Sequence, residues 1–448
     1  MKKNDVIQLS DHFTLPRLLR FCLPSIGMMV FTSIYGVVDG YFVSNCVGKT
    51  AFAAVNLIMP FLMILGGVGF MIGTGGSALV AKYLGEKNEE MARRVFSMMI
   101  YLTAILGVTL SVLGFVFAEP VALLLGAEED MIGNCVTYAR TCLIFNTMFM
   151  FQNVFQSFLV TAEKPKMGLV VIVAAGVTNM ALDALFVAGL QMGVMGAALA
   201  TGLSQTVGGL LPLIFFLRKN NGSTLHVVRT KMEFRPILQA CTNGVSELMT
   251  NISASLVSML YNHQLMRLAG QDGVSAYGVL MYVQFVFAAI YIGYSIGTSP
   301  IVGYNFGAKN HPELKNLLRM GSRLMLCAGL AMVGVAQLLA APLAGVFVGY
   351  DKELFDMTVH AFRLFSFTFL FSGFNIFTSA FFTALNNGGV SAAVSFLRTL
   401  VFQLAAVLIL PEFLELDGVW ISVAFAEVCA FVISIIFLVA NRKKYQYF

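Results

Sequence analysis

From Leu15 onward the chain returns repeatedly to uninterrupted apolar stretches. A helix needs about 20 such residues to cross the hydrocarbon core of a bilayer. Twelve stretches meet that length, centred near residues 32, 66, 105, 148, 176, 205, 252, 285, 331, 369, 400 and 430. Lipid offers the backbone no hydrogen-bond partners, so a spanning segment must pair its own N–H and C=O groups, and continuous apolar runs do so as helices. Charged residues make up 11% of the chain and hydrophobic ones 58%, against about 25% charged in a soluble domain. The expectation is an all-α integral membrane protein, multi-pass, with no sizeable soluble domain. A polar N-terminus followed by an apolar run too long for a signal-peptide core predicts no cleaved leader.

The net charge of +5 reads as a topology signal and not as a nucleic-acid patch. With the N-terminus assigned to the cytoplasm, 22 of the 28 Lys and Arg residues fall on that side, among them Lys2, Lys3, Arg93, Arg94, Arg218 and Arg442, and three, Lys49, Arg267 and Lys352, fall in outer loops. Arg140, Arg363 and Arg398 lie in or at the ends of spans. The outer loops are acidic, as in Ala127–Asp130 and at Glu412, Glu415 and Asp417. This bias predicts a cell-membrane protein with both termini cytoplasmic. No Walker A sequence is present, so ATP is not expected to act directly. The seven cysteines form no CxxC and lie mostly in apolar runs, so they read as small hydrophobes. The five histidines sit near span ends with no metal-ligand spacing.

The chain also repeats itself. "GEKN" at Gly85–Asn88 returns as "GAKN" at Gly307–Asn310, an offset of 222 residues. The same offset places Gly75 on Gly297, Ser77 on Ser299, Phe155 on Phe377, Thr161 on Thr383 and Gly196 on Gly418. The expected organisation is a six-helix bundle over residues 1–217, a basic linker at 218–235 and a second six-helix bundle over 236–448. An even number of spans per repeat keeps both halves in one orientation, related by an axis along the membrane normal, as in parallel-repeat transporters. A path between the halves of one chain makes the monomer the functional unit.

Four acids lie deep in spans: Asp39, Asp183, Glu247 and Glu427. A carboxylate in the middle of a membrane costs at least ~2.5–3.5 kcal/mol and is functional by default. Asn179 and Asp183 are one turn apart and share a helix face. Glu247 lies a turn or two inside the end of its span, and Glu427 has no evident partner in the sequence around it. Pro24, inside the first span, removes a backbone hydrogen bond and offers a hinge. The glycine run Gly66–Gly76 lacks the Lys-Ser/Thr of a phosphate loop and suits close helix packing. Forty Phe and 25 Met suit a cavity that repacks around varied ligands.

Leu23-Pro24, "IYGVVDGYFV", "NMALDALFVAGLQMGVMGAALAT" (Asn179–Thr201) and the repeat together resemble the MATE family, multidrug and toxic compound extrusion, over essentially the whole chain. The resemblance implies two six-helix bundles around a cleft, and export of lipophilic organic cations against entry of Na⁺ or H⁺ with no other cofactor. It also implies a cation site in the first half. Asp39, Asn179, Asp183 and Thr201 match its ligands and are the places where Na⁺ would sit. The fourth-helix amide falls at Gln156, with Asn153 one turn earlier as its substitute. Two departures stand out: Ala184 follows the fifth-helix Asp where the family often has Pro, and Val160 stands where an Arg is common. Glu247 and Glu427 are secondary candidates. Two other readings are a flippase for lipid-linked or amphipathic metabolites, which wants a more basic cavity, and a non-transporting membrane receptor or assembly protein, which needs no cation ligands.

Overall fold

A computed structural model describes residues 7–349 and 351–448, and these residues are mostly helical, with short connections apart from residues 218–233. Lys2 and Lys3, and the side chains of Lys49 and Asp130, lie outside this description. The first half holds α1 (Leu15–Phe42), α2 (Lys49–Gly85), α3 (Glu89–Leu124), α4 (Glu129–Thr161), α5 (Pro165–Asp183) and α6 (Gly193–Leu217). The second holds α7 (Phe234–Gly307), α8 (His311–Val348), α9 (Lys352–Phe365), α10 (Thr368–Ala384), α11 (Gly388–Phe396), α12 (Phe402–Ile409) and α13 (Pro411–Tyr445).

Among the described residues ten helices are long and apolar enough to cross a membrane, and α9 with α10, bent by 45°, makes an eleventh span. The twelfth comes from α7, whose 74 residues break at Gly270 (φ 63, ψ −148) into two membrane-length arms. That backbone conformation is open to glycine and strained for other residues. Large apolar side chains such as Leu124, Leu338 and Val346 stay exposed, as a lipid-facing surface requires.

The "GEKN/GAKN" repeat has a local cause. Lys87 (φ 60) and Lys309 (φ 54) take the left-handed conformation that reverses the chain. The next residue then caps a helix: Asn88 Oδ1 accepts from Met91 N–H, and Asn310 Oδ1 from Glu313 N–H. Each cap satisfies a helix-end donor that would otherwise be orphaned.

The two halves meet along α2 and α7. A methyl group on Gly85 would overlap the Tyr304 carbonyl oxygen, and one on Gly307 would overlap the Lys82 carbonyl oxygen. The two contacts interchange when 222 is added to one residue and subtracted from the other, so they are mates about a two-fold axis. A second pair obeys the same rule: Gly75 lies against Gly244, and Gly297 against Cys22. The glycines thus let backbones approach as small-residue membrane interfaces do.

The connection between the halves is 218–233, because α7 begins at Phe234, inside the expected linker. It is pinned to α3: Tyr101 Oη donates to Val228 O (3.0 Å), Val228 N–H donates to Ser97 Oγ (2.9 Å), and Arg94 pairs with Glu233. The N-terminal segment spans both halves at the same basic end. Leu9 N–H donates to Glu163 Oε1 in the first half (2.7 Å). Phe13 N–H donates to Glu313 Oε1 in the second (3.0 Å), and His12 Nδ1 lies 2.6 Å from Glu313 Oε2. Asn316 Nδ2 then donates to Phe13 O (2.9 Å).

Candidate functional site

Asp39 sits in the last turn of α1, and a π-helical turn, Val43–Val47, begins four residues later. Asp183 closes α5 and leads directly into another, Ala184–Gly189. Ala184, where the family often has proline, keeps an N–H that donates to the Met180 and Ala181 carbonyls. Wide turns of this kind recur at functional sites because they displace the helix register and turn side chains inward.

These helix ends bring four oxygen-bearing side chains together. Thr201 Oγ1 on α6 donates to Asp39 Oδ1 at 3.4 Å. The Asp183 carboxyl and the Asn179 amide lie close enough to Asp39 to act on it electrostatically. Asp183 and Asn179 are 0% and 1% exposed, whereas Asp39 is half-buried. Both Asp183 oxygens and Asn179 Oδ1 are buried without a donor among the described residues. Burying such oxygens unpaired is costly, and two neighbouring carboxyls resist joint ionisation unless positive charge is shared between them. An all-oxygen set with two carboxyls suits a hard monovalent cation or a proton.

The two α4 amides do not join this group. Asn153 Nδ2 donates to Gly66 O of α2 (3.3 Å). Gln156 faces Met28, Gly168 and Gly208 around a separate small void. The α4 residues near Asp39 are instead Tyr138 and Cys142, and Tyr35 of α1 lies beside it with Gln152 close by. Sequence reasoning missed this shell, because Tyr, Cys and Gln on an apolar helix carry no signal of their own. Pro24 is buried inside a continuous α1, with Gly293 of α7 against Ser25 and Ile26 just after it.

The second half holds a different charge arrangement. Glu427, without an evident partner in sequence, has two. Arg398 Nε donates to its Oε1 at 2.9 Å, and Asn375 Nδ2 to its Oε2 at 2.7 Å. Ser434 Oγ donates to Asn375 Oδ1 at 3.0 Å. The partners were hidden because they lie on other helices, 29 and 52 residues away. Arg398 belongs to a third π-helical turn, Leu397–Val401. It also borders a cavity of about 370 Å³ between the halves, lined from α2, α4, α7, α10, the α11–α12 segment and α13, with Glu247 on another wall.

The MatE family profile matches residues 24–185 and again residues 248–408, once in each half. The chain belongs to the MatE family. The chain is 23% identical over 447 residues to the multidrug export protein MepA of Staphylococcus saprophyticus, covering 99% of this chain and 98% of that one. The MepA of Staphylococcus haemolyticus is 22% identical over 454 residues, covering 99% and 97%. Among solved structures, an outward-facing multidrug resistance MATE family transporter superposes with a TM-score of 0.92 at 23% identity over the full length of both chains. MatE membership accords with the two-bundle architecture and with a profile match that starts anew in each half.

Proposed function

We propose that this protein is a secondary transporter that exports lipophilic organic cations from the cell in exchange for Na⁺ or H⁺, acting as a monomer in the cell membrane with both termini in the cytoplasm. The observation that carries the reading is the grouping of Asp39, Asp183, Asn179 and Thr201, in which three buried oxygens lack donors. A bound ion would relieve that burial. Its loss would leave two carboxyls repelling across α1 and α5. The two ion states therefore favour different arrangements of α1, and a ligand shifts an equilibrium only through such a difference. Pro24 gives α1 a place to bend, and α1 packs on α7 of the opposite half, so its motion reaches the cavity wall. That cavity offers Tyr277, Phe285 and Met281 to an apolar body and Glu247 to a positive charge. Cation–π contact adds to the attraction. MepA relatives named as multidrug exporters support the same direction.

The test is uptake of tetraphenylphosphonium into proteoliposomes with Na⁺ and pH gradients imposed separately. Accumulation driven by one gradient identifies the ion. Accumulation under neither, with the protein inserted and folded, would sink the reading.

A further inference from the structure

We propose that Glu247 and Arg398 form a two-pole subsite in the central cavity, which takes the amine and the carboxylate of zwitterionic amphiphiles. The inference rests on reading this cavity as the substrate path. A volume of about 370 Å³ falls in the range of small-molecule sites. Its walls are mostly apolar and hydroxyl side chains, and Glu247 and Arg398 are the charged residues among those described as lining it. They lie close enough to interact electrostatically, yet they form no ion pair with each other.

Arg398 is held in place from behind. Its Nε–H donates to Glu427, whose side chain is 2% exposed, while Arg398 keeps 14% exposure on the cavity side. A guanidinium has five N–H donors. The Glu427 contact engages Nε alone among the described hydrogen bonds, which leaves the two Nη groups for a ligand. Glu427 is fixed in turn by Asn375, and Asn375 by Ser434. The anchor offsets the cost of bringing Arg398 into the membrane and sets the direction of its fork. That planar fork matches a carboxylate. Because Glu427 and Arg398 balance, Glu247 when ionised leaves the cavity net negative. Monocations are therefore still attracted, and Arg398 adds a second pole for ligands that also carry an anion. Tyr277 and Phe285, on the second arm of α7, would receive the aromatic body beside the two poles.

The experiment compares two probes that differ in one charge, Nε-dansyl-lysine and its methyl ester, with tetraphenylphosphonium as a third ligand, on purified protein in nanodiscs. Loss of a charge-assisted contact weakens binding by about tenfold or more. R398Q should weaken dansyl-lysine by that factor and leave the ester unchanged or tighter. E247Q should weaken both. Since R398Q strands Glu427, the neutral pair R398Q/E427Q is measured as well and should show the same selective loss. R398K keeps the charge without the fork and should fall between. If wild type binds the ester and tetraphenylphosphonium but not dansyl-lysine, or if R398Q/E427Q shifts both dansyl probes equally, the two-pole site is wrong and the cation reading stands. If wild type binds none of the three, both fail.

Discussion

Gly85 lies against the carbonyl of Tyr304 so closely that any side chain there would collide with it. Its mate, Gly307 against Lys82, shows the same crowding, so the α2–α7 seam is set by backbone contact.

Gly85→Ala and Gly307→Ala should each destabilise the folded protein by about 1–3 kcal/mol, the usual cost of overpacking. A methyl group on Gly334 would meet nothing within 4 Å, and Gly334→Ala inside α8 should be neutral or slightly stabilising. Thermal unfolding of the purified variants in one detergent checks the contrast. A Gly85→Ala protein as stable as wild type would show that the seam is loose.

Asp39→Asn and Asp183→Asn should each reduce gradient-driven efflux to the background of empty liposomes while the protein still inserts and folds. Asn keeps the shape and removes the charge, so both conformations then meet the ion equally and the gradient has nothing to bias. Asn179→Ala and Thr201→Ala separate the two ions. If Na⁺ couples, both should raise the Na⁺ concentration needed for half-maximal efflux. If H⁺ couples, they should leave maximal efflux largely intact. Normal efflux by Asp39→Asn would make that carboxyl structural.

Glu427→Gln should act mainly on stability. Removing one partner of a buried ion pair costs about 3–5 kcal/mol, and the loss should sit near the lower end because Arg398 borders the cavity. The double variant R398Q/E427Q should recover most of it. A double-mutant cycle on unfolding free energies measures the coupling. Additive losses would mean that the 2.9 Å contact contributes nothing. Gradient-driven efflux should fall less in Glu427→Gln than in either Asp variant.

Topology is open to single cysteines in a Cys-free background, probed with an impermeant thiol reagent on intact cells. Positions 128 and 220 are both exposed, on the acidic and basic connections. Label at 128 and none at 220 is expected from the charge bias. The reverse would invert the protein.

Much of this architecture is legible in the sequence. The apolar runs place the spans, and the 222-residue offset pairs Gly75 with Gly297 and Gly85 with Gly307, the glycines that form the seam. The offset does not say that they face each other across it, since a repeat carries no distance. Asn179 and Asp183 share a face because both lie in regular helix. Gln156 and Asn153 turn elsewhere, to a neighbouring void and to α2, since rotation of a buried helix is set by packing and not by local pattern. The Glu427 network and the three π-helical turns are equally hidden. A widened turn depends on which carbonyl an amide finds, and no residue type announces it.

The N-terminal segment adds a limit on motion. Leu9 is bound to Glu163 and Phe13 to Glu313, with four residues of chain from one amide nitrogen to the other. Fully extended, four residues reach about 13–14 Å. While both contacts hold, the basic mouth of the protein is on a leash of that length: the halves can part there until the slack is used up, and any wider opening requires one of the two glutamates to let go.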